Sequence, residues 1–324
     1  MRRILALAAL FALPGFAHAD PLPSWNDGDA KAAIVEFVES VTDAAADTYV
    51  TPADRIAVFD NDGTLWAEQP VYFQFLYALD KLKEMAAADP SILTSDLLKS
   101  AAAGDMKAIA ASGTEGMLEI AMVSHSGMAT DDFKASVRSW LDTARHPETG
   151  MAYDRMIYQP MLELLAYLRD EDFRTFIVSG GGIDFIRVFS QEAYNIPPDQ
   201  VIGTSGNARY EVADGTPAIM KDPGIFFIDD KEGKPVAIES RLGKRPILAA
   251  GNSDGDFQML EWTTAGDGPR LGLIVHHTDA EREFAYDRDG AVGKLARGLD
   301  EAGTRGWLLV DMQDDWATVW PGSR

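Results

Sequence analysis

One short stretch constrains the fold more than any other. The apolar run Ile56–Phe59 ends without transition in Asp60-Asn61-Asp62-Gly63-Thr64. A short apolar run bounded by turn-forming residues reads as a strand buried on both faces. Such strands belong to parallel sheets covered by helices, so the chain must supply helices between its strands. The strand also finishes in two carboxylates two residues apart. Charge beside an apolar core is costly to desolvate, so something positive has to hold them.

The rest of the chain alternates as this requires. "QPMLELLAYLRDED" reads as a helix and "FRTFIVSGGG" as a strand running into glycines. "DFIRVFSQEAYN" is a helix and "DQVIGTS" a short strand. Residues 207–230 suggest a β excursion with turns at Asp214-Gly215 and Pro223-Gly224. "KPVAIESRLG" is a helix, "RPILAAGNSDGD" a strand entering a loop, "FQMLEW" a helix, "PRLGLIVHH" a strand and "GWLLVDM" an edge strand. The fold class expected is α/β, a Rossmann-like three-layer parallel sheet. Between the first strand and this series, residues 67–153 show apolar residues at helical spacing with no β-branched runs, and read as a helical insertion. Residues 20–66 and 154–324 then make the core. A lead-in helix is expected over Ala30–Ala45, with Asp27 to Asp29 as N-cap candidates.

Residues 1–19 have a different character. Arg2 and Arg3 precede "ILALAALFAL", and Ala17-His18-Ala19 supplies an A-x-A pattern. A basic start, a short apolar stretch and small residues form a secretory leader, so the protein is expected to be periplasmic or secreted. The apolar part is too short for a stable span, so no membrane insertion is expected after cleavage. The chain lacks cysteine, which excludes disulfides and thiolate chemistry. Its net charge of -22 repels nucleic acid, so an anionic substrate needs local positive charge.

Ligands of parallel sheets bind at the carboxyl ends of the strands. Three expected strands end in polar or glycine-rich clusters: Asp60 and Asp62; Ser179-Gly180-Gly181-Gly182; and Gly251-Asn252-Ser253-Asp254-Gly255-Asp256. Each alone is an ordinary turn. In this order and at strand ends, they resemble the haloacid dehalogenase-like superfamily of hydrolases, and within it the phosphoserine-phosphatase-like branch. The first motif of that family, D-x-D-G-T, is matched by Asp60 to Thr64, the second by Ser179, the third by Lys234 and the fourth by Asn252 to Asp256. The resemblance covers about residue 54 to the C-terminus.

The resemblance implies an enzyme, a phosphomonoesterase that uses Mg²⁺ and acts on a small phosphorylated substrate. Asp60 would be nucleophile and metal ligand. Asp62 would give its carbonyl to the metal, protonate the leaving alcohol and then activate water. Ser179 and the Gly180 amide would hold phosphate oxygens, and Lys234 would balance charge. Lys221, Lys231 and Lys244 compete for that role, but Lys234 directly precedes the helix leading to the fourth motif. The fourth motif departs from the usual pattern, because Asn252 stands where an acid is common. Whether Asn252, Asp254 or Asp256 ligates the metal directly stays open. The helical insertion occupies the position of a substrate-selecting cap. Glu68, with Trp66 and Tyr72, would accept a cationic head group if the three converge. His125, His276 and His277 are read as structural or solvated. Dehalogenation, phosphoryl transfer to another acceptor, or phosphoester binding without turnover are the alternatives. Asp62 favours phosphatase chemistry, since a halide leaves without a proton.

The leader pattern makes a direct prediction. N-terminal sequencing of the exported form should begin at Asp20, and soluble active protein that retains Met1 would refute the leader.

Overall fold

Seven strands in the order β4-β3-β2-β1-β5-β6-β7 form one sheet in the computed structural model, which describes residues 19–322. The expected leader lies outside the described residues apart from Ala19. The strands are β1 (Ile56–Phe59), β2 (Arg174–Gly182), β3 (Val201–Ala213), β4 (Thr216–Phe227), β5 (Leu248–Gly251), β6 (Leu271–His276) and β7 (Leu308–Asp311). All neighbours are parallel except β3 and β4.

The apolar runs explain this arrangement. Along β1, Ile56 and Val58 point into one core cluster, while Ala57 and Phe59 point into the other. Both faces of the strand are therefore dry, as a continuous apolar run demands. Helices cover both faces: α1 (Asp29–Thr42) and α6 (Gln159–Asp170) bury residues in the cluster of Ala57 and Phe59, while Ile238, Phe257 and Leu260, from helices later in the chain, lie in the cluster of Ile56 and Val58. The mixed α/β, three-layer class read from the sequence is the class observed.

Between β1 and β2 come α2 (Phe73–Ala88), α3 (Asp96–Ala102), α4 (Met106–His125) and α5 (Thr130–Thr143). The first three enclose a small cluster of their own, including Phe75, Leu79, Leu82, Leu98 and Ile120. In contrast, α5 sends Phe133, Val137 and Leu141 into the main cluster. After β2 come the short α7 (Ile183–Ile186) and α8 (Ser190–Tyr194). Then α9 (Gly233–Leu242) leads to β5, α10 (Phe257–Thr264) to β6 and α11 (Arg297–Arg305) to β7, with α12 (Met312–Asp315) following.

Three local expectations are corrected. Helix α1 starts at Asp29, and its N-cap is Gly28 without a side-chain cap; Asp27 instead pairs with Lys31 at 3.1 Å. Within "DQVIGTS", Asp199 and Gln200 belong to a 3-10 turn and Val201 to Ser205 open β3, which continues into a hairpin rather than ending. The hairpin turns at Asp214-Gly215, where both residues have positive φ (51° and 79°), the geometry that matches strand twist. Pro223-Gly224 is not a turn. It lies inside β4, opposite a register shift at Gly206, where neither ladder bond nor regular pairing is needed.

The segment after residue 19 is part of the core. Leu22 and Trp25 are buried, Trp25 meets Trp316 edge-on at 6.0 Å, and Asn26 N donates to Asp315 O at 2.8 Å. Trp316 also packs against Tyr158 at 5.3 Å. The first and last segments of the described residues are thus fastened by one aromatic group. Trp316→Ala should cost ~3–5 kcal/mol in urea unfolding, as other large-to-small aromatic truncations do; a loss below ~1 kcal/mol would show that the ends are not so fastened.

Candidate active site

The central position of β1 decides where the motifs meet. Phe59 is in register with Ile177 on β2 and with Ala250 on β5. The carboxyl ends of these three strands therefore lie side by side. Asp60, Asp62, Glu68, Ser179, Gly180, Lys234 and Asp256 all line one cavity of about 460 Å³. Asn252, also expected at the site, does not line the cavity: it is 1% exposed and reaches the site through Glu68 (2.7 Å) and Thr64 (3.2 Å).

Lys234 sits in the first turn of α9 and is 2% exposed. Its ammonium donates to Asp60 Oδ1 (2.8 Å), Asp256 Oδ1 (2.6 Å) and the Val178 carbonyl (2.8 Å). All three of its protons are used. Burial opposes its charge, but Asp256 and Asp60 outweigh that and hold the ammonium above the usual lysine range. The competing lysines lie elsewhere. Lys244 pairs with Asp54 at the surface (2.6 Å), Lys231 is exposed, and Lys221 pairs with Asp184 farther along the cavity.

Asp256 uses both oxygens within the protein. Besides Lys234, it accepts from the amides of Asn252 and Ser253, each at 3.0 Å. Asp254 accepts from the amides of Ala296, Arg297 and Gly298 at 2.9–3.2 Å, and so holds the start of α11. Asp60 differs: its Oδ2 accepts no hydrogen bond among the described residues. Burial and the Asp256 charge raise its carboxyl well above the usual range, against the pull of Lys234. Asp62 Oδ1 accepts from Trp66 Nε1 at 2.7 Å, and burial pushes that carboxyl up to about 6.

The donor set is suited to a hard divalent cation. Asp60, Asp62, Glu68 and Asp256 line the same cavity, and Lys234 is the only basic side chain ion-paired with any of them among the described residues. That leaves more carboxyl groups than ammonium groups in the site, with oxygen donors throughout, a chemistry that suits Mg²⁺. No group of three or more His, Cys, Asp or Glu forms a ready-made metal cluster among the described residues. The Asn252 amide and a backbone carbonyl would have to complete the set.

Ser179 Oγ accepts from the Gly181 amide at 3.1 Å, and the amide of Gly182 donates to Gln74 Oε1 at 2.7 Å. Gln74, in the first turn of α2, thus joins the helical insertion to the glycine loop. Its Nε2 donates to His125 Nε2 at 3.1 Å, and His125 Nδ1 meets Ser124 Oγ at 2.8 Å. His125 lines the cavity; burial pushes its ring down to about 3, so it is neutral. His277 is buried as well. Its Nε2 donates to the Gly63 carbonyl at 2.8 Å, fixing the turn of the first motif from below. The expected meeting of Trp66, Tyr72 and Glu68 around a cation does not occur: Trp66 is 1% exposed and stacks on Phe189 at 4.5 Å. Tyr72 and Glu68 do line the cavity. Gln74, Tyr286 and the lining role of His125 had no signature in the sequence, because each acts through a partner distant in the chain.

A three-layer parallel sheet with this acid pair, lysine and glycine loop defines a hydrolase of one mechanistic type. The family model for haloacid dehalogenase-like hydrolases matches residues 57–261, and the chain belongs to that family. Among solved structures, a conserved protein of unknown function from Anaerococcus prevotii DSM 20548 has 15% identity and a TM-score of 0.57, with 93% of this chain and 98% of that one covered. A protein of unknown function from Bordetella pertussis Tohama I has 16% identity and a TM-score of 0.49, covering 80% and 98%. A phosphoserine phosphohydrolase-like protein from Francisella tularensis subsp. tularensis SCHU S4 has 17% identity and a TM-score of 0.41, covering 77% and 98%. No curated protein matches the chain.

The Asp62 carboxyl gives a prediction with a definite sign. Its folded value of about 6 lies above the ordinary 3.8. Its contribution to stability is therefore full at low pH and is lost as pH rises through about 6. In EDTA, Asp62→Asn should stabilise the protein at about pH 8 by up to ~3 kcal/mol and give no gain at about pH 4. Urea unfolding at both pH values measures this; equal effects would contradict it.

Proposed function

We propose that the protein is a Mg²⁺-dependent phosphomonoesterase acting on small phosphorylated metabolites through an aspartyl-phosphate on Asp60. The observation that carries this reading is Asp62. Its carboxyl faces the same cavity as Asp60 and is pushed up to about 6, so it can bring a proton to a leaving alcohol. A dehalogenase has no use for that acid.

Residues of this chain would divide the work as follows. Lys234 holds Asp60 Oδ1, and the other oxygen, Oδ2, attacks phosphorus. As the phosphorus–Oδ2 bond forms, the bond from phosphorus to the ester oxygen breaks, and that oxygen takes the Asp62 proton. Asp62, now a carboxylate, accepts a proton from water, which attacks phosphorus and releases Asp60. Ser179 Oγ and the Gly180 amide hold phosphate oxygens during both steps. Asp60, the Asp62 carbonyl and Asn252 would hold the cation, which when bound supplies positive charge beside the phosphate. Asp256 acts as a brace for Lys234 and its own loop, since both its oxygens are occupied. Asp254, as the cap of α11, is outside this machinery.

Export is part of the same proposal. The leader pattern supports it, and Asp20, the expected first residue after cleavage, already takes part in the fold through Lys31 at 2.6 Å. Outside the cytoplasm such an enzyme would release alcohols and phosphate for uptake.

The test is hydrolysis of p-nitrophenyl phosphate and an alkyl phosphate, with Mg²⁺ and with EDTA. EDTA should abolish turnover and Asp60→Asn should do the same with the fold intact. Asp62→Asn should slow the phosphorylating step on the alkyl phosphate by on the order of 10²- to 10⁴-fold and spare p-nitrophenyl phosphate, whose phenolate leaves without help. Equal slowing of the phosphorylating step on both substrates would remove Asp62 as the acid.

A further inference from the structure

Asn252 raises a problem that the rest of the site answers. It is a neutral amide where the cation-binding loop of the family usually has an acid. An amide also has two unlike ends: Oδ1 can bind a cation, whereas Nδ2 repels one. The structure fixes which end is which. Nδ2 donates to Glu68 Oε1 at 2.7 Å, and Oδ1 accepts from Thr64 Oγ1 at 3.2 Å.

Glu68 is held for this contact. Its Oε1 accepts a second hydrogen bond from Tyr286 OH at 2.8 Å. Tyr286 is itself stacked on His277 at 4.3 Å, the residue that binds the Gly63 carbonyl. Two glycines make room for the carboxyl: a Cβ at Gly63 would lie 2.4 Å from Oε1, and one at Gly293 only 1.9 Å away. Glu68 is 1% exposed and pairs with no basic side chain among the described residues. A carboxyl in such a place, with a pocket built to its shape and no cation of its own, is costly unless something else needs it.

We infer that Glu68 is the positioning residue for Asn252, fixing the amide so that Oδ1 serves the cation. The inference rests on the reading of the site as a divalent-cation site. It assigns Glu68 to the cation through Asn252, rather than to a substrate head group. Hydrogen-bond partners behind a metal ligand both orient it and raise its donor strength, and their loss typically weakens metal binding by about 10- to 100-fold.

The experiment is titration calorimetry of the full chain with Mg²⁺ and with Mn²⁺, without substrate. Glu68→Gln should weaken cation binding by about 10- to 100-fold. Asn252→Asp alone should not tighten it, because it sets two carboxylates against each other. The swap Glu68→Gln with Asn252→Asp restores one acid and one amide across the same contact, and should return affinity to within ~3-fold of the original chain. If Glu68→Gln does not fold, Glu68→Asp, which withdraws the carboxylate by one methylene, should weaken binding in the same direction. A Glu68→Gln affinity within ~2-fold of the original, or a swap no better than Glu68→Gln, overturns the inference. So does a shift in KM for an amine-bearing phosphate ester with no shift in cation affinity, which would return Glu68 to the substrate. A chain that binds no divalent cation at all overturns this inference and the metal reading together, whereas normal binding with an indifferent Glu68→Gln overturns the inference alone.

Discussion

A single buried ammonium ties the site to the sheet. Lys234 reaches from α9 to the end of β1 through Asp60, to β2 through the Val178 carbonyl, and to the loop after β5 through Asp256. Each of its protons ends on a different strand or strand end. Burying charge in this way is a poor route to stability, since the desolvation of each group offsets much of the attraction. What the arrangement secures is relative position. The nucleophile, the glycine loop and the fourth motif are held in one register by one side chain, and the sheet order with β1 between β2 and β5 makes that reach possible.

A second network lies on the opposite side of the first motif and is built from neutral or singly charged groups. His277 fixes the Gly63 carbonyl, Tyr286 stacks on His277, and Tyr286 and Asn252 share Glu68 Oε1. Together the two networks clamp the loop Asp60–Thr64 between a cation and a hydrogen-bonded carboxyl. Gly63 is indispensable at that point, since its φ of 74° suits glycine and its missing Cβ leaves space for both Glu68 and Asn252. Acids outnumber bases inside the cavity, which is the feature the proposed divalent cation and phosphate ester would answer to, and the helical insertion reaches the same cavity through Gln74 and His125.

Much of this was legible in the chain because it depends on short-range pattern. Continuous apolar runs of strand length, alternating with helical periodicity, specify a parallel sheet covered on both faces. The positions of Asp60, Asp62, Ser179 and Asn252 to Asp256 follow at once, because each lies just past an apolar run and such ends meet at one edge of the sheet. Lys234 was legible from its place ahead of the helix that leads to β5. The choice among Asn252, Asp254 and Asp256 was not, since three polar residues in one loop have the same local signature. Only their partners separate them: backbone amides of α11 for Asp254, Lys234 and the loop amides for Asp256, Glu68 and Thr64 for Asn252.

The sequence by itself determined the fold class, the run of strand ends and the acid pair, because hydrophobic period and turn chemistry act over a few residues. Tertiary structure alone decided the rest. It buried Trp66 against Phe189 instead of offering it to a ligand, turned Pro223-Gly224 into a strand irregularity, and brought Tyr286 to Glu68 across 218 residues of chain. It also divided the helical segment, with α2–α4 closing their own cluster while α5 joins the main core. Contacts between residues far apart in the chain depend on how layers pack and which side chains fill the gaps. That is a property of the assembled core, and no local pattern encodes it.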